Sequence, residues 1–219
     1  MSEQGDFLRK AFMTVYFQAT EWLYGPLAWA YDAVAWLVSF GAWSRWRRDA
    51  LAYLVPGRIL ETGFGTGSLL IEMTQRGLDV IGIDPSWPMQ RVTRRKAARM
   101  GQEIKRLCGV VQRMPFSNST FSNVLSTFPT NYISNSETLA EVHRILAPAG
   151  RWVIVGLGLR FKSRIKQFLV GWLLGDWENV WVRSFMQLAE DAGFTPRLIQ
   201  HEAKTYLLTV LILEKNHET

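Results

Sequence analysis

The segment Glu61-Thr62-Gly63-Phe64-Gly65-Thr66-Gly67 constrains this chain more than any other. It follows Arg58-Ile59-Leu60-Glu61, a short apolar run that reads as a buried strand, and precedes Ser68 to Arg76, whose apolar residues recur at helical spacing. Glycines there let the backbone turn sharply and let a ligand come close to the main chain. The helix beginning beyond them offers unpaired N–H groups. A dinucleotide fingerprint runs G-x-G-x-x-G, and Ser68 stands where its third glycine would be; here the order is G-x-G-x-G after an acidic residue. Glu61, a carboxylate at the strand end, suits a ligand with a positively charged amino group better than it suits a pyrophosphate.

The rest of the chain agrees with a strand–turn–helix beginning. Leu78 to Asp84, Ile104 to Val111, Phe121 to Phe128 and Arg151 to Leu157 read as further strands. Between them lie a helix capped by Ser86 and running to about Met100, and another from Ser136 to Leu146. Such alternation predicts a parallel sheet with helices on both faces. After a helix over Val180 to Ala192, the strands Thr195 to His201 and Thr205 to Leu213 are joined too closely for a crossover, so they predict an antiparallel hairpin. Asp84 ends the second strand, where a carboxylate can accept both hydrogen bonds of a ribose diol.

Composition narrows the class. The 219 residues are enough for one large domain, or one domain with an extension. Hydrophobic residues make up 48% and charged residues 20%, which excludes a disordered or collagen-like chain. Cys108 is the single cysteine, so a disulfide framework and a multi-cysteine metal site are excluded, no metal is expected, and a reducing, cytoplasmic setting is the natural one. The net charge of +6 suits anionic partners. Arg91, Arg94, Arg95, Lys96 and Arg99 read as the solvated face of one helix; no stacking aromatics are interleaved with them, so nucleic acid is not the expected partner. Met1 to Lys10 lacks the pattern of a secretory signal. Ala33 to Ser44, the longest strongly apolar charge-free stretch, is shorter than the roughly 18–20 residues a membrane span needs. A soluble or peripheral protein is expected.

Tryptophan is the unusual count, at ten. Trp22, Trp29, Trp36 and Trp43 recur every seven residues in a helical N-terminal stretch, Phe7 to Leu54, that Gly25-Pro26 interrupts and Pro56-Gly57 ends. Such a stripe packs on the sheet edge or forms a hydrophobic lid over an apolar ligand. Trp172, Trp177 and Trp181 form a second cluster. Before it, Arg160, Lys162, Arg164 and Lys166 lead into Phe168 to Leu174, the make-up of an interfacial helix.

Taken together, Ile59–Gly67, Val80–Asp84, Met114-Pro115-Phe116 with Phe121 and Val124, and Glu141-Val142-His143-Arg144-Ile145-Leu146 with Pro148 and Gly150 resemble the class I S-adenosylmethionine-dependent methyltransferases, in the branch of the ubiquinone and menaquinone C-methyltransferases. The resemblance covers about Arg58 to Val155. It implies that Glu61, Gly63, Gly65, Thr66 and Gly67 hold the methionine portion of the cofactor and Asp84 the ribose. It places Met89, Val111 and Gln112 by the adenine, and Phe128 by the sulfonium and the acceptor. Three positions depart from the family pattern: Val110 replaces an adenine-binding Asp, Ser122 an Asp that opens the fourth strand, and Ala149 the first glycine of a Pro-Gly-Gly turn.

The expected architecture is therefore an α/β fold: a Rossmann-like seven-stranded methyltransferase sheet with helices on both faces, the last strand pair antiparallel, and a helical N-terminal cover. Residues 1–56 form the cover and 57–219 the cofactor-binding domain, with an insertion at 159–178, in one structural unit. The expected function is S-adenosylmethionine-dependent methylation of a small hydrophobic acceptor, quinone or lipid-like. Peripheral contact with the inner membrane surface belongs to the same reading. Tyr132 and Asn131, just past the fourth strand, are candidates for orienting the acceptor. His143, His201 and His217 read as packed or solvated rather than catalytic. A non-catalytic cofactor-binding or interaction protein, motivated by Val110, Ser122 and Ala149, is the second reading, and an RNA methyltransferase the third. The acceptor's identity and the oligomeric state are not written in the sequence.

Overall fold

Every residue of strand β1 (Ile59–Thr62) is buried, as a parallel strand covered on both faces requires. A computed structural model of the chain describes residues 22, 25–39, 41–163 and 178–216. Beside β1 run β2 (Val80–Asp84), β3 (Lys105–Cys108), β4 (Phe121–Thr127), β5 (Leu146–Phe161), β6 (Phe194–Glu202) and β7 (Tyr206–Lys215), in the spatial order β3-β2-β1-β4-β5-β7-β6. The first five pair in parallel, and β7 is antiparallel to both β5 and β6. From β1 the order runs one way to β2 and the other way to β4. That reversal opens a crevice at the strands' carboxyl ends, where ligands of such sheets bind.

Neighbouring residues along each strand point to opposite faces. Leu60, Val124, Trp152 and Ile154 join one core, and Ile59, Leu125, Val153 and Val155 the other. The first core is closed by α5 (Ser136–Ile145) and α6 (Glu178–Asp191), through Leu139, Val142, Phe185 and Ala189. The second is closed by α3 (Ser68–Gln75) and by α2 (Trp43–Asp49), whose Trp46 is buried edge-on against Phe161 and Tyr206. Trp152, fully buried, keeps its indole N–H satisfied by donating to Ser126 Oγ at 2.8 Å. Helix α4 (Trp87–Arg99) starts at Ser86, whose Oγ accepts the Met89 N–H at 3.3 Å. Its Met89, Gln90, Thr93 and Ala97 are buried and its arginines exposed, as their spacing predicts.

Several motif residues turn out to carry structure. Glu141 accepts the Met114 N–H at 2.8 Å, and Arg144 donates to the Met114 and Phe116 carbonyls at 3.1 and 2.6 Å, so α5 pins the loop before β4. Buried Asn123 exchanges two hydrogen bonds with the Val55 backbone, fastening the N-terminal segment to β4.

The boundaries differ from expectation in three places. Strand β3 stops at Cys108, leaving Val110 and Val111 in the following loop. Strand β5 starts at Leu146, directly after α5, and runs on to Phe161, because β7 stays paired with it past a bulge between Val155 and Gly158. The first residues of the expected insertion are thus sheet; residues 164–177, with Arg164, Lys166, Phe168–Leu174, Trp172 and Trp177, lie outside the described residues, as does His217.

The heptad of tryptophans does not share one face. Between α1 (Tyr31–Val38) and α2 the chain turns at Gly41, whose φ of 77° suits glycine, and this swings Trp43 and Trp46 inward. Trp22, Trp29 and Trp36 stay 60%, 73% and 64% exposed. Packing on the sheet edge is thus the wrong account of those three.

Candidate functional site

Gly63, Gly65 and Gly67, between β1 and α3, take φ of 64°, 58° and 69°, left-handed values that glycine adopts without strain. Gly67 is also needed for space, since a Cβ there would lie 2.2 Å from Thr93 Cγ2 on α4. At Gly65 a Cβ would meet nothing, so this part of the turn is open to a ligand. The turn is held from below: Asp84 Oδ2 accepts the Gly65 N–H at 2.8 Å, Thr93 Oγ1 donates to the Gly65 carbonyl at 3.0 Å, and Gly63 N–H donates to the Ile83 carbonyl at 2.8 Å. The other carboxylate oxygen of Asp84 accepts the Ser86 N–H at 2.8 Å. Burial raises the pKa of Asp84, against those two hydrogen bonds, which lower it.

Glu61 is 1% exposed, and its Oε2 has no hydrogen-bond partner. Desolvation pushes its pKa up to about 8; the Arg47 guanidinium works against the rise and Asp84 adds to it. A buried carboxylate left unpaired costs free energy unless a cation or donor completes it. Arg47, on α2, is buried and its Nε is likewise unpartnered. Thr66, fully buried, donates to Asp32 Oδ1 at 2.6 Å. Asp32 on α1 pairs with Lys96 of α4, and Lys96 also donates to Ser68 Oγ at 2.9 Å. Burial lowers the pKa of Lys96, with Asp32 opposing.

The structure gathers Glu61, Gly63, Gly65, Thr66, Gly67 and Asp84 around one crevice at the carboxyl ends of β1 and β2. Arg47, Asp32, Thr93 and Lys96 adjoin it and were not predicted. The one signal was Asp32, the sole acidic residue between Glu21 and Asp49. Lys96 is half-buried and paired, not part of the solvated face that its neighbouring arginines form.

Met89 is fully buried, Val111 is buried beyond β3 and Gln112 is half-buried, while Val110 is exposed. Gln90, also missed, donates to the Asp84 and Leu107 carbonyls at 2.9 and 2.7 Å, tying β2 to β3 below the crevice. Phe128, at the end of β4, has φ of 49°; Trp43 stacks on its ring at 4.3 Å, and a Cβ on Gly156 would lie 2.3 Å from it. The Tyr132 hydroxyl bonds the Thr62 hydroxyl and carbonyl at 3.0 and 3.3 Å and borders Gly63, where a Cβ would lie 3.3 Å from it. Asn131 is exposed at the start of the 3-10 turn Asn131–Ser134.

The two described histidines pack away from the crevice. His143 meets Phe194 edge-on, and His201 Nδ1 bonds Tyr53 Oη at 2.8 Å, with Asp49 3.5 Å from its Nε2. Among the described residues no three His, Cys, Asp or Glu side chains are grouped to hold a metal ion. None of the described helices is long and apolar enough to cross a membrane.

Known proteins resemble this chain in sequence and in fold. A family model described as a methyltransferase domain matches residues 59–150. The demethylmenaquinone methyltransferase of Thermus thermophilus is 34% identical over 157 residues, 64% of this chain and 71% of that protein. A ubiquinone/menaquinone biosynthesis C-methyltransferase of Geotalea uraniireducens is 32% identical over 132 residues, 54% of each chain. Among solved structures, an S-adenosylmethionine-dependent methyltransferase of Thermotoga maritima, described as a possible histamine N-methyltransferase, superposes with a TM-score of 0.58 at 18% identity, covering 85% of this chain and 94% of the other. The chain spans between half and three-quarters of the length of these curated relatives.

Proposed function

Since the chain belongs to the S-adenosylmethionine-dependent methyltransferases, we propose that it methylates a small hydrophobic acceptor of the quinone class. The residues present fit the cofactor: a buried carboxylate with an orphaned oxygen at Glu61, open space over Gly65, and a second carboxylate at Asp84. In this reading Glu61 holds the amino group, the Gly63–Gly67 turn lies along the methionine portion, and Asp84 receives the ribose. Its two oxygens keep lone pairs beyond the Gly65 and Ser86 bonds. Met89, Val111 and Gln112 border the adenine end. When bound, the cofactor supplies a methyl group on a sulfonium, so the hard chemistry is its own.

The protein's part is alignment and exclusion of water. Phe128, clamped between Trp43 and Gly156, gives the sulfonium end an aromatic wall. Tyr132 sits beside Gly63 with its hydroxyl held by Thr62, so it shapes the acceptor side and keeps the turn in place; Asn131, exposed next to it, is free to meet an acceptor oxygen. The observation that carries the acceptor class is the aromatic wall at the end of β4, in a chain whose relatives include a demethylmenaquinone methyltransferase. The cover, residues 1–56, and the domain, 57–219, act as one unit in this proposal, joined through Asp32 and Asn123.

The test is transfer of a labelled methyl group from S-adenosylmethionine to a panel of a short-chain demethylmenaquinone, a catechol, and a polar amine. Turnover confined to the quinone and catechol is the expected result. Preference for the polar amine sinks the acceptor class.

Peripheral contact with an anionic membrane belongs to the same proposal. Trp22, Trp29, Trp36 and Leu37 are each exposed, and α4, with its exposed arginines, packs beside the 3-10 turn Ala28–Ala30. Apolar aromatics flanked by basic residues favour the interface of anionic lipid. Sedimentation with phosphatidylglycerol vesicles but not with phosphatidylcholine vesicles is expected; equal absence from both pellets removes the membrane from the reading.

A further inference from the structure

We infer that Arg47 binds the α-carboxylate of the methyl donor, so that the methionine end of the cofactor is gripped by the N-terminal cover as well as by the glycine turn. The inference rests on the reading of the crevice as the S-adenosylmethionine site.

A buried carboxyl and a buried guanidinium lie near enough to influence one another without pairing. Arg47 is 8% exposed and Glu61 1%, each with a side-chain atom that no hydrogen bond satisfies. The Arg47 guanidinium opposes the rise of the Glu61 pKa, yet no ion pair or hydrogen bond joins the two side chains. Two such groups, withdrawn from water and not paired, are costly to keep unless something bridges them. A bridge must present a cation to Glu61 and an anion to Arg47 a short distance apart. The zwitterion of an α-amino acid does both, and S-adenosylmethionine ends in one.

The other candidate cation is already engaged. Lys96 pairs with Asp32 and donates to Ser68 Oγ. Arg47 has no such partner among the described residues, and its planar guanidinium matches a carboxylate in the two-bond geometry an ammonium cannot give. Helix α2 has reason to hold it there: Trp46, next in the chain, is locked in the core against Phe161 and Tyr206. Arg47 lies outside residues 59–150, so the family model does not reach it.

The experiment compares the binding of S-adenosylhomocysteine and its decarboxylated analogue, which keeps the amino group, by calorimetry. The wild type is expected to prefer S-adenosylhomocysteine by roughly 30-fold, the worth of a charge-assisted contact of about 2 kcal/mol. Arg47→Met loses that preference while binding the analogue as the wild type does, and Arg47→Lys restores part of it. Wild-type protein that binds both ligands equally overturns the inference without any variant having to fold. So does an Arg47→Met variant that keeps the preference. Failure of the wild type to bind S-adenosylhomocysteine at all overturns the cofactor reading first, and the role of Arg47 with it.

Discussion

Asp84 at the end of β2 accepts the Gly65 N–H in the turn after β1, at 2.8 Å, so the residue suited to the ribose also fixes the turn suited to the methionine. Its second oxygen caps the start of α4 through the Ser86 N–H. One side chain thereby sets the spacing of two strands and a helix around the crevice before any ligand arrives.

Replacing Asp84 is therefore expected to act twice. Asp84→Ala leaves two backbone N–H groups without a partner, which costs about 2–4 kcal/mol of unfolding free energy. It also weakens S-adenosylhomocysteine binding by roughly 100-fold or more. Chemical denaturation and calorimetry read the two effects. Unchanged affinity in a folded Asp84→Ala protein removes Asp84 from the binding site.

Glu61 makes stability depend on pH in a direction opposite to that of most carboxylates. Its native pKa of about 8 lies above the ordinary 4.5, so between those values the folded state keeps a proton that the unfolded chain has released. Its contribution to stability is fully present below pH 4.5 and is lost as pH rises through 8. The Glu61→Gln variant lacks this dependence, and should gain on the wild type by roughly 2–4 kcal/mol between pH 5 and pH 9. At pH 7, binding S-adenosylhomocysteine should expel up to about one proton from the wild type and none from Glu61→Gln, as the ligand's ammonium draws the carboxylate into its charged form. Calorimetry in buffers of different ionisation enthalpy measures it; proton uptake in place of release would contradict the assignment.

Asp32 ties the cover to the glycine turn through Thr66 and to α4 through Lys96. Its side chain is 39% exposed, so the ion pair is worth only about 0.5–1 kcal/mol. Asp32→Ala should leave global stability nearly unchanged, raise amide exchange at Gly65–Ser68 several-fold, and weaken cofactor binding by about 3–5-fold. If exchange at the turn stays at the wild-type rate, the cover does not steady it.

Ala149 holds φ of 58°, in the left-handed region that glycine adopts without strain. A Cβ there costs about 1–2 kcal/mol, against about 0.4–1 kcal/mol for the extra freedom glycine has when unfolded. Ala149→Gly should raise stability by up to about 1 kcal/mol and leave methyl transfer unaltered, since the turn lies at the amino end of β5, away from the crevice. A fall in stability would mean that the neighbouring strand relaxes around alanine.

Much of this was readable because the signals are local. The apolar runs of β1 and β4, the Ser86 cap of α4 and the glycine spacing each depend on near neighbours in sequence. Boundaries slipped where pairing partners decided them. β5 runs on to Phe161 because β7 continues beside it, and β3 stops short because it is the edge strand, paired on one side only and with three of its four residues exposed. The heptad of tryptophans misled for a related reason: periodicity assumes one continuous helix, and the left-handed turn at Gly41 splits it.

By itself the sequence determined the strand–turn–helix unit, the two carboxylates at its strand ends and the alternation that makes a doubly covered sheet, because each follows from chain stereochemistry and hydrophobic spacing over a few residues. Only the tertiary structure decided which distant side chains converge on that unit. Arg47 is buried next to Trp46 in the core, and Asp32 meets the unit because α1 lies across Thr66 and Lys96. Trp43 closes over Phe128 because Gly41 turns the chain. Such convergence is set by burial and charge pairing between segments far apart in sequence, and no local pattern encodes it.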